Sequence, residues 1–159
     1  MERRPFKTNY AGAIYGTILS MAVISTASKD PSIGPIMIGA WAASTAVVFW
    51  LAHSYSTFVA SGLIRGDETR RAILSAMRHD WPMVQGSLIP AAAMLLAPLG
   101  LVSTDAATFV AVGIGVLILF SAGLYMGHRQ GAGWPRTLAV ASTNAVIGLM
   151  IVALKVFVH

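Results

Sequence analysis

Between Phe49 and Thr57 the chain reads FWLAHSYST, which places a histidine, a tyrosine and the hydroxyls of Ser54, Ser56 and Thr57 inside an otherwise apolar run. Ionisable groups in membrane-spanning helices are costly and mark proton relays or ion paths. An imidazole changes charge near neutral pH, so His53 could gate such a path or move a proton along it. Counted from Ile64 at about 1.5 Å per residue, His53 lies about 16 Å deep; Asn144, counted inward from Arg136, lies about 12 Å deep. The expectation is that the two meet, with the asparagine fixing the imidazole tautomer directly or through water, because buried polar groups need partners. Tyr55, Gln85 near a segment end, and Lys155 near the far end of the last apolar segment complete the candidate polar core. Lys155 reads either as a snorkelling anchor or as a charge at the outer mouth of a pathway.

Other chemistries find less support. The histidines at 53, 79, 128 and 159 have no HExxH-like spacing, and with no cysteine the chain offers no thiolate ligands. Bis-histidine haem ligation needs two facing deep histidines, and only His53 is deep. Serine-hydrolase and phosphate-loop motifs are absent, and the acidic residues avoid the centres of the apolar segments. No cofactor and no metal are expected, no catalytic residue is assigned, and an enzyme is poorly motivated, with lipid modification the remaining enzymatic reading.

The elements that must position these groups follow from composition. A chain with 56% hydrophobic and 11% charged residues cannot fold as an ordinary soluble domain without exposing large apolar patches. Five segments have the length of about 20 residues that a bilayer requires: roughly 10–27, 35–64, 82–102, 106–127 and 135–158. Pro35, Pro82 and Pro135 fall at first-turn positions, and Asp105 can cap the fourth helix. Pro90 and Pro98 would free the carbonyls of Gly86 and Met94. Nine of the eleven basic residues, among them Arg65, Arg70, Arg71, Arg78, Arg129 and Arg136, fall before span one or in the loops after spans two and four. By the positive-inside rule the amino terminus is cytoplasmic and the carboxyl terminus outside. The basic start followed by an apolar run imitates a signal peptide, and an uncleaved first span is expected.

The connection 65–81 reads as an amphipathic helix on the inner leaflet. Ile73, Leu74, Met77 and Trp81 form its apolar face, and Arg65, Arg70, Arg71 and Arg78 turn to anionic headgroups or a docking partner. Asp80 reads as the cap of span three. Small residues Gly12, Gly16 and Ser20 on span one, and Gly123 and Gly127 on span four, extended by Ala107, Ala111 and Gly115, read as close-packing stripes within the chain or between copies.

Tyr15-Gly16, Trp50 with His53 and Tyr55, His79-Asp80-Trp81 and the terminal ALKVFVH of Ala153 to His159 resemble small multi-spanning integral membrane proteins of actinobacteria. That resemblance implies an architecture and an inner-membrane location, and it carries over no site. The sequence thus predicts an all-α, single-domain (1–159) polytopic bundle of five spans in the plasma membrane. Its basic charge belongs to membrane topology, with no nucleic-acid motif beside it. Two functions are expected from different classes: a small oligomeric channel or transporter with its polar patch at His53 and Asn144, or an accessory or scaffold subunit of a larger membrane complex.

Overall fold

The described residues fold into helices that pack against one another. The computed structural model describes residues 9–60 and 67–157, which form α1 (Tyr10–Ala27), α2 (Pro35–Ala60), α3 (Asp67–Asp80), α4 (Pro82–Ala93), α5 (Thr104–Arg129) and α6 (Trp134–Phe157). Among these residues there is no strand. Three helices, α1, α2 and α5, are long and apolar enough to cross a membrane. Arg65 and the expected extension of the second segment to Ile64 lie outside the described residues.

α1 is the centre of the bundle and packs against α4, α2, α5 and α6; α2 packs further on α4 and α3, while α6 lies along α5. Small residues make the central contact possible. A Cβ on Gly16 would run into the backbone carbonyl of Met83, and one on Gly86 into that of Ala13, so α1 and α4 meet backbone to backbone. Gly123 and Gly127 meet Ala141 and Thr137 of α6 in the same way, and Gly115 lies against Met21. At the far end from His53 a core of Ile24, Ile38, Ala42, Met94, Ala107 and Ala111 fills the space between helices. Large apolar side chains such as Val48, Phe109, Leu117 and Met150 point outward, 61–77% exposed, which suits a hydrocarbon surround and would be unfavourable in water.

The third expected span is not one continuous α-helix. α4 has 12 residues and gives way to a 3-10 turn over Met94–Leu96, so its regular part is about 18 Å long against a hydrocarbon core of about 30 Å. The prolines explain this. Pro90 leaves the Gly86 carbonyl without its helical donor, and the hydroxyl of Thr17 on α1, shared with the Ala13 carbonyl of its own helix at 2.9 Å, reaches it at 3.0 Å. Beyond Pro98 the turn closes with Leu101 N–H donating to Leu96 O and Gly100 N–H to Ala97 O, Gly100 taking φ +72°. This is a Schellman closure, which requires a left-handed residue that glycine adopts without strain. Two expected caps also differ. Ser103, not Asp105, caps α5 by accepting from Ala106 N–H at 3.2 Å, and α4 starts from Trp81 with no side-chain cap.

The ends of the bundle are chemically distinct. Tyr10 at the start of α1 meets Tyr125 near the end of α5, ring centroids 4.9 Å apart, and Arg129 lies over the Tyr125 ring at 5.6 Å. The opposite end holds the α1–α2 turn, where Asp30 accepts from the Ser32 amide at 2.9 Å and its hydroxyl at 2.6 Å. These two bonds hold the Asp30 carboxyl below its ordinary range, against a small opposing effect of desolvation. Because the folded value is the lower one, the turn keeps this contribution above the ordinary carboxylate range and loses it as pH falls through the depressed value. Acid titration is expected to lower the protection of the Ser32 amide, its exchange rate relative to the intrinsic rate at the same pH, only at the acid end, and Asp30→Ala is expected to abolish that dependence.

Candidate functional site

The sequence around position 80 places a carboxylate where three helices meet. Asp80 ends α3, and Trp81 alone separates it from the proline that starts α4. This tight junction turns the carboxylate inward, where it is 1% exposed. A buried carboxylate needs hydrogen-bond donors, and two elements supply them. The Asn9 amide donates to Oδ1 at 3.1 Å, and the Ser54 hydroxyl of α2 donates to Oδ2 at 3.3 Å. The Asn9 side chain is doubly used, since its oxygen also accepts from Gly12 N–H at 2.9 Å and thereby caps α1.

His53 stands beside this carboxylate. Its Nε2 is 3.9 Å from Asp80 Oδ1, within ion-pairing distance and beyond a direct hydrogen bond, and its side chain is 55% exposed. Trp50, one turn earlier on α2, donates from Nε1 to the Met77 carbonyl at 2.9 Å and packs edge-on against Trp81 with centroids 5.1 Å apart. These contacts fasten the last turn of α3 to α2 and hold Asp80 in place. A cavity of about 380 Å³ adjoins the imidazole, lined by Asn9, Gly12, Tyr15, Phe49, His53 and Met83 among others. The arrangement is a half-exposed imidazole at a cavity wall with a buried carboxylate behind it.

The expected partnership of His53 with Asn144 does not form. Asn144 packs against Gly123 of α5, whereas His53 faces Asp80, on the side of α1 where α2 and α4 lie. The depth count fails for a physical reason. It treats 35–64 as wholly intramembrane, but α2 is 26 residues long against 18 for α1, and both Asn9, which immediately precedes α1, and His53 reach Asp80. His53 therefore lies level with the beginning of α1, and the residues after it project beyond that helix.

The other expected residues are dispersed. Tyr55 is 69% exposed and borders a groove with Phe58, Ile73 and Met77. Gln85 is exposed on α4, and Arg70, Arg71 and Arg78 are exposed on α3. Lys155 falls in the last turns of α6, and its side chain lies outside the described ones. Ser20 donates to Ser87 O at 3.0 Å across the α1–α4 contact, and Gly12 lies beside its cap Asn9. Among the described residues no three His, Asp or Glu side chains converge as a metal site would require.

Asp80, Asn9 and Ser54 are the site residues that sequence reasoning misses. Asn9 carries the one usable signal, a capping residue directly before an apolar helix. Searches against protein-family models, curated proteins and solved structures return no significant match to this chain.

Proposed function

We propose that the chain is a multi-pass protein of the plasma membrane that acts, as a homo-oligomer, as a small proton-linked channel or transporter, with His53 and Asp80 as its central polar pair. The observation that carries this reading is the half-exposed imidazole 3.9 Å from a carboxylate that is 1% exposed, at the wall of a cavity. A proton arriving through the cavity meets His53 first and is balanced by Asp80. Among the described residues, Tyr15 of α1 is the other titratable side chain lining that cavity. A single chain has no room for a passage between α1 and α4, whose backbones touch at Gly16 and Gly86, so the pathway runs between copies.

In this reading the chain crosses the bilayer five times, with its amino terminus cytoplasmic and its carboxyl terminus outside. Supporting the orientation, α3 with Arg70, Arg71 and Arg78 joins the bundle at the end where Arg129 lies, while Lys29 and Asp30 occupy the other. The exposed arginines rest on anionic headgroups. The resemblance to small actinobacterial membrane proteins favours the same architecture and location.

Reconstitution in liposomes tests the proposal. Wild type is expected to carry proton flux, and His53→Ala is expected to reduce it at least tenfold. Undiminished flux in the variant would remove His53 from the mechanism. A second reading, an accessory subunit docked through α3, is favoured by the exposed arginine face and by the tight α1–α4 contact. Absence of flux under any gradient, with a co-purifying membrane partner, would establish it in place of the first.

A further inference from the structure

The cavity beside His53 is specific enough in composition to point to a ligand class. Its volume of about 380 Å³ falls in the range of roughly 300–1,000 Å³ typical of small-molecule sites. Two aromatic rings line it, Tyr15 from α1 and Phe49 from α2, tilted with centroids 6.2 Å apart. Both are exposed, as are Ala11 and Ala52, which also line it. The opening therefore lies on the flank of the bundle between α1 and α2, while Met83 of α4, 2% exposed, closes the inner side.

At the polar end the Asp80 carboxylate is 1% exposed and its oxygens already accept from Asn9 and Ser54, so it is not presented to the cavity. Asn9 has its oxygen and one N–H committed to Gly12 and Asp80, so a ligand can hydrogen-bond to the imidazole of His53, the hydroxyl of Tyr15 and the second Asn9 N–H. Any positive charge on His53 is balanced by Asp80, and no Arg or Lys lines the described cavity. Among the described lining residues an anionic headgroup finds no Arg or Lys, and a cationic one cannot touch the buried Asp80 carboxylate behind His53, so either would lose hydration on entering without a direct charged partner. A flat uncharged ring would pack against Tyr15 and Phe49 and place an oxygen near His53.

We infer that this cavity binds the ring of an uncharged lipid-soluble quinone or quinol, with His53 hydrogen-bonded to a ring oxygen and the apolar tail leaving between α1 and α2. The inference rests on the membrane placement proposed above and is independent of transport: binding to detergent-solubilised protein reads the cavity alone, whereas vesicle flux reads the pathway.

The test is equilibrium binding of a decyl-substituted benzoquinone to the purified full chain, with decylbenzene as the tail-matched control. Wild type is expected to bind the quinone saturably and at least tenfold more tightly than decylbenzene. Ala52→Phe, which fills the cavity from an exposed position on α2, is expected to weaken quinone binding at least tenfold. His53→Leu is expected to lose about fivefold or more of the preference for the quinone while retaining the contribution of the tail. Helical circular dichroism and monodisperse elution identify the variants that remain folded, and either variant alone suffices. Equal affinity of wild type for quinone and decylbenzene would overturn the inference, as would wild-type binding by a folded variant. Tighter binding of a decyl sulfate or a decyl ammonium ion would overturn the assignment of an uncharged ring.

Discussion

Asp80→Leu is expected to lower stability by about 2–4 kcal/mol, because it leaves the Ser54 hydroxyl and the Asn9 amide without their shared acceptor, and each orphaned buried donor costs about 1–3 kcal/mol. The larger share falls on Ser54, 3% exposed, since Asn9 is only partly buried and can recruit water. For a chain of this size the loss corresponds to a fall of roughly 5–10 °C in the thermal midpoint, measured by circular dichroism in detergent. Asp80→Asn separates the charge from the hydrogen bonds. Its carbonyl still accepts from Asn9, and its amide can donate to the Ser54 oxygen after that hydroxyl rotates, so the expected cost is only about 1 kcal/mol. If the two variants melted together, the negative charge and not the hydrogen-bond acceptors would be what holds α1, α2 and α3 at this junction. A midpoint unchanged in Asp80→Leu would show that Asp80 is not a structural centre at all.

What the sequence discloses and what it withholds divide along physical lines. Helix starts are legible because proline before an apolar run has few structural options, and α2 starts at Pro35, α4 at Pro82 and α6 one residue before Pro135. Pro90 likewise announces a carbonyl in need of a donor, but nothing local says that Thr17, 69 residues away from Gly86, supplies it. His53 is conspicuous for the same reason as Pro90, as a local exception to an apolar pattern. Its partner is not, because axial register between helices depends on how far each projects beyond its neighbours, and depth counted along α2 alone contains no such information. Asp80 is hidden by a competing local explanation, since an acidic residue before Trp-Pro reads as a cap. Only the tertiary placement of Asn9 and Ser54 shows that its carboxylate is already committed.

Gly16→Leu is expected to have the largest effect of any substitution on α1, preventing folding or costing more than about 4 kcal/mol, a size reserved for a few mechanisms of which core overpacking is one. A small-to-large change in a packed interior typically costs about 1–3 kcal/mol when side chains can move aside. Here they cannot, because the obstacle is the Met83 backbone carbonyl. Relief requires α4 to retreat, and retreat breaks the bonds from Thr17 to Gly86 O and from Ser20 to Ser87 O, both 3.0 Å. Those carbonyls belong to the turn before Pro90, where the Gly86 carbonyl has no helical donor to fall back on. The damage also reaches the candidate site, since Met83 is three residues beyond Asp80 and lines the cavity next to His53. Gly16→Ala is expected to lie between Leu and wild type, and Gly113→Ala, where a Cβ meets nothing within 4 Å, is expected to stay within about 0.5 kcal/mol of wild type. Elution profile and thermal midpoint in detergent rank the three. A Gly16→Leu protein that elutes and melts like the Gly113→Ala control would mean that α1 and α4 are not in backbone contact, and the positioning of Asp80 against α1 would then need another cause.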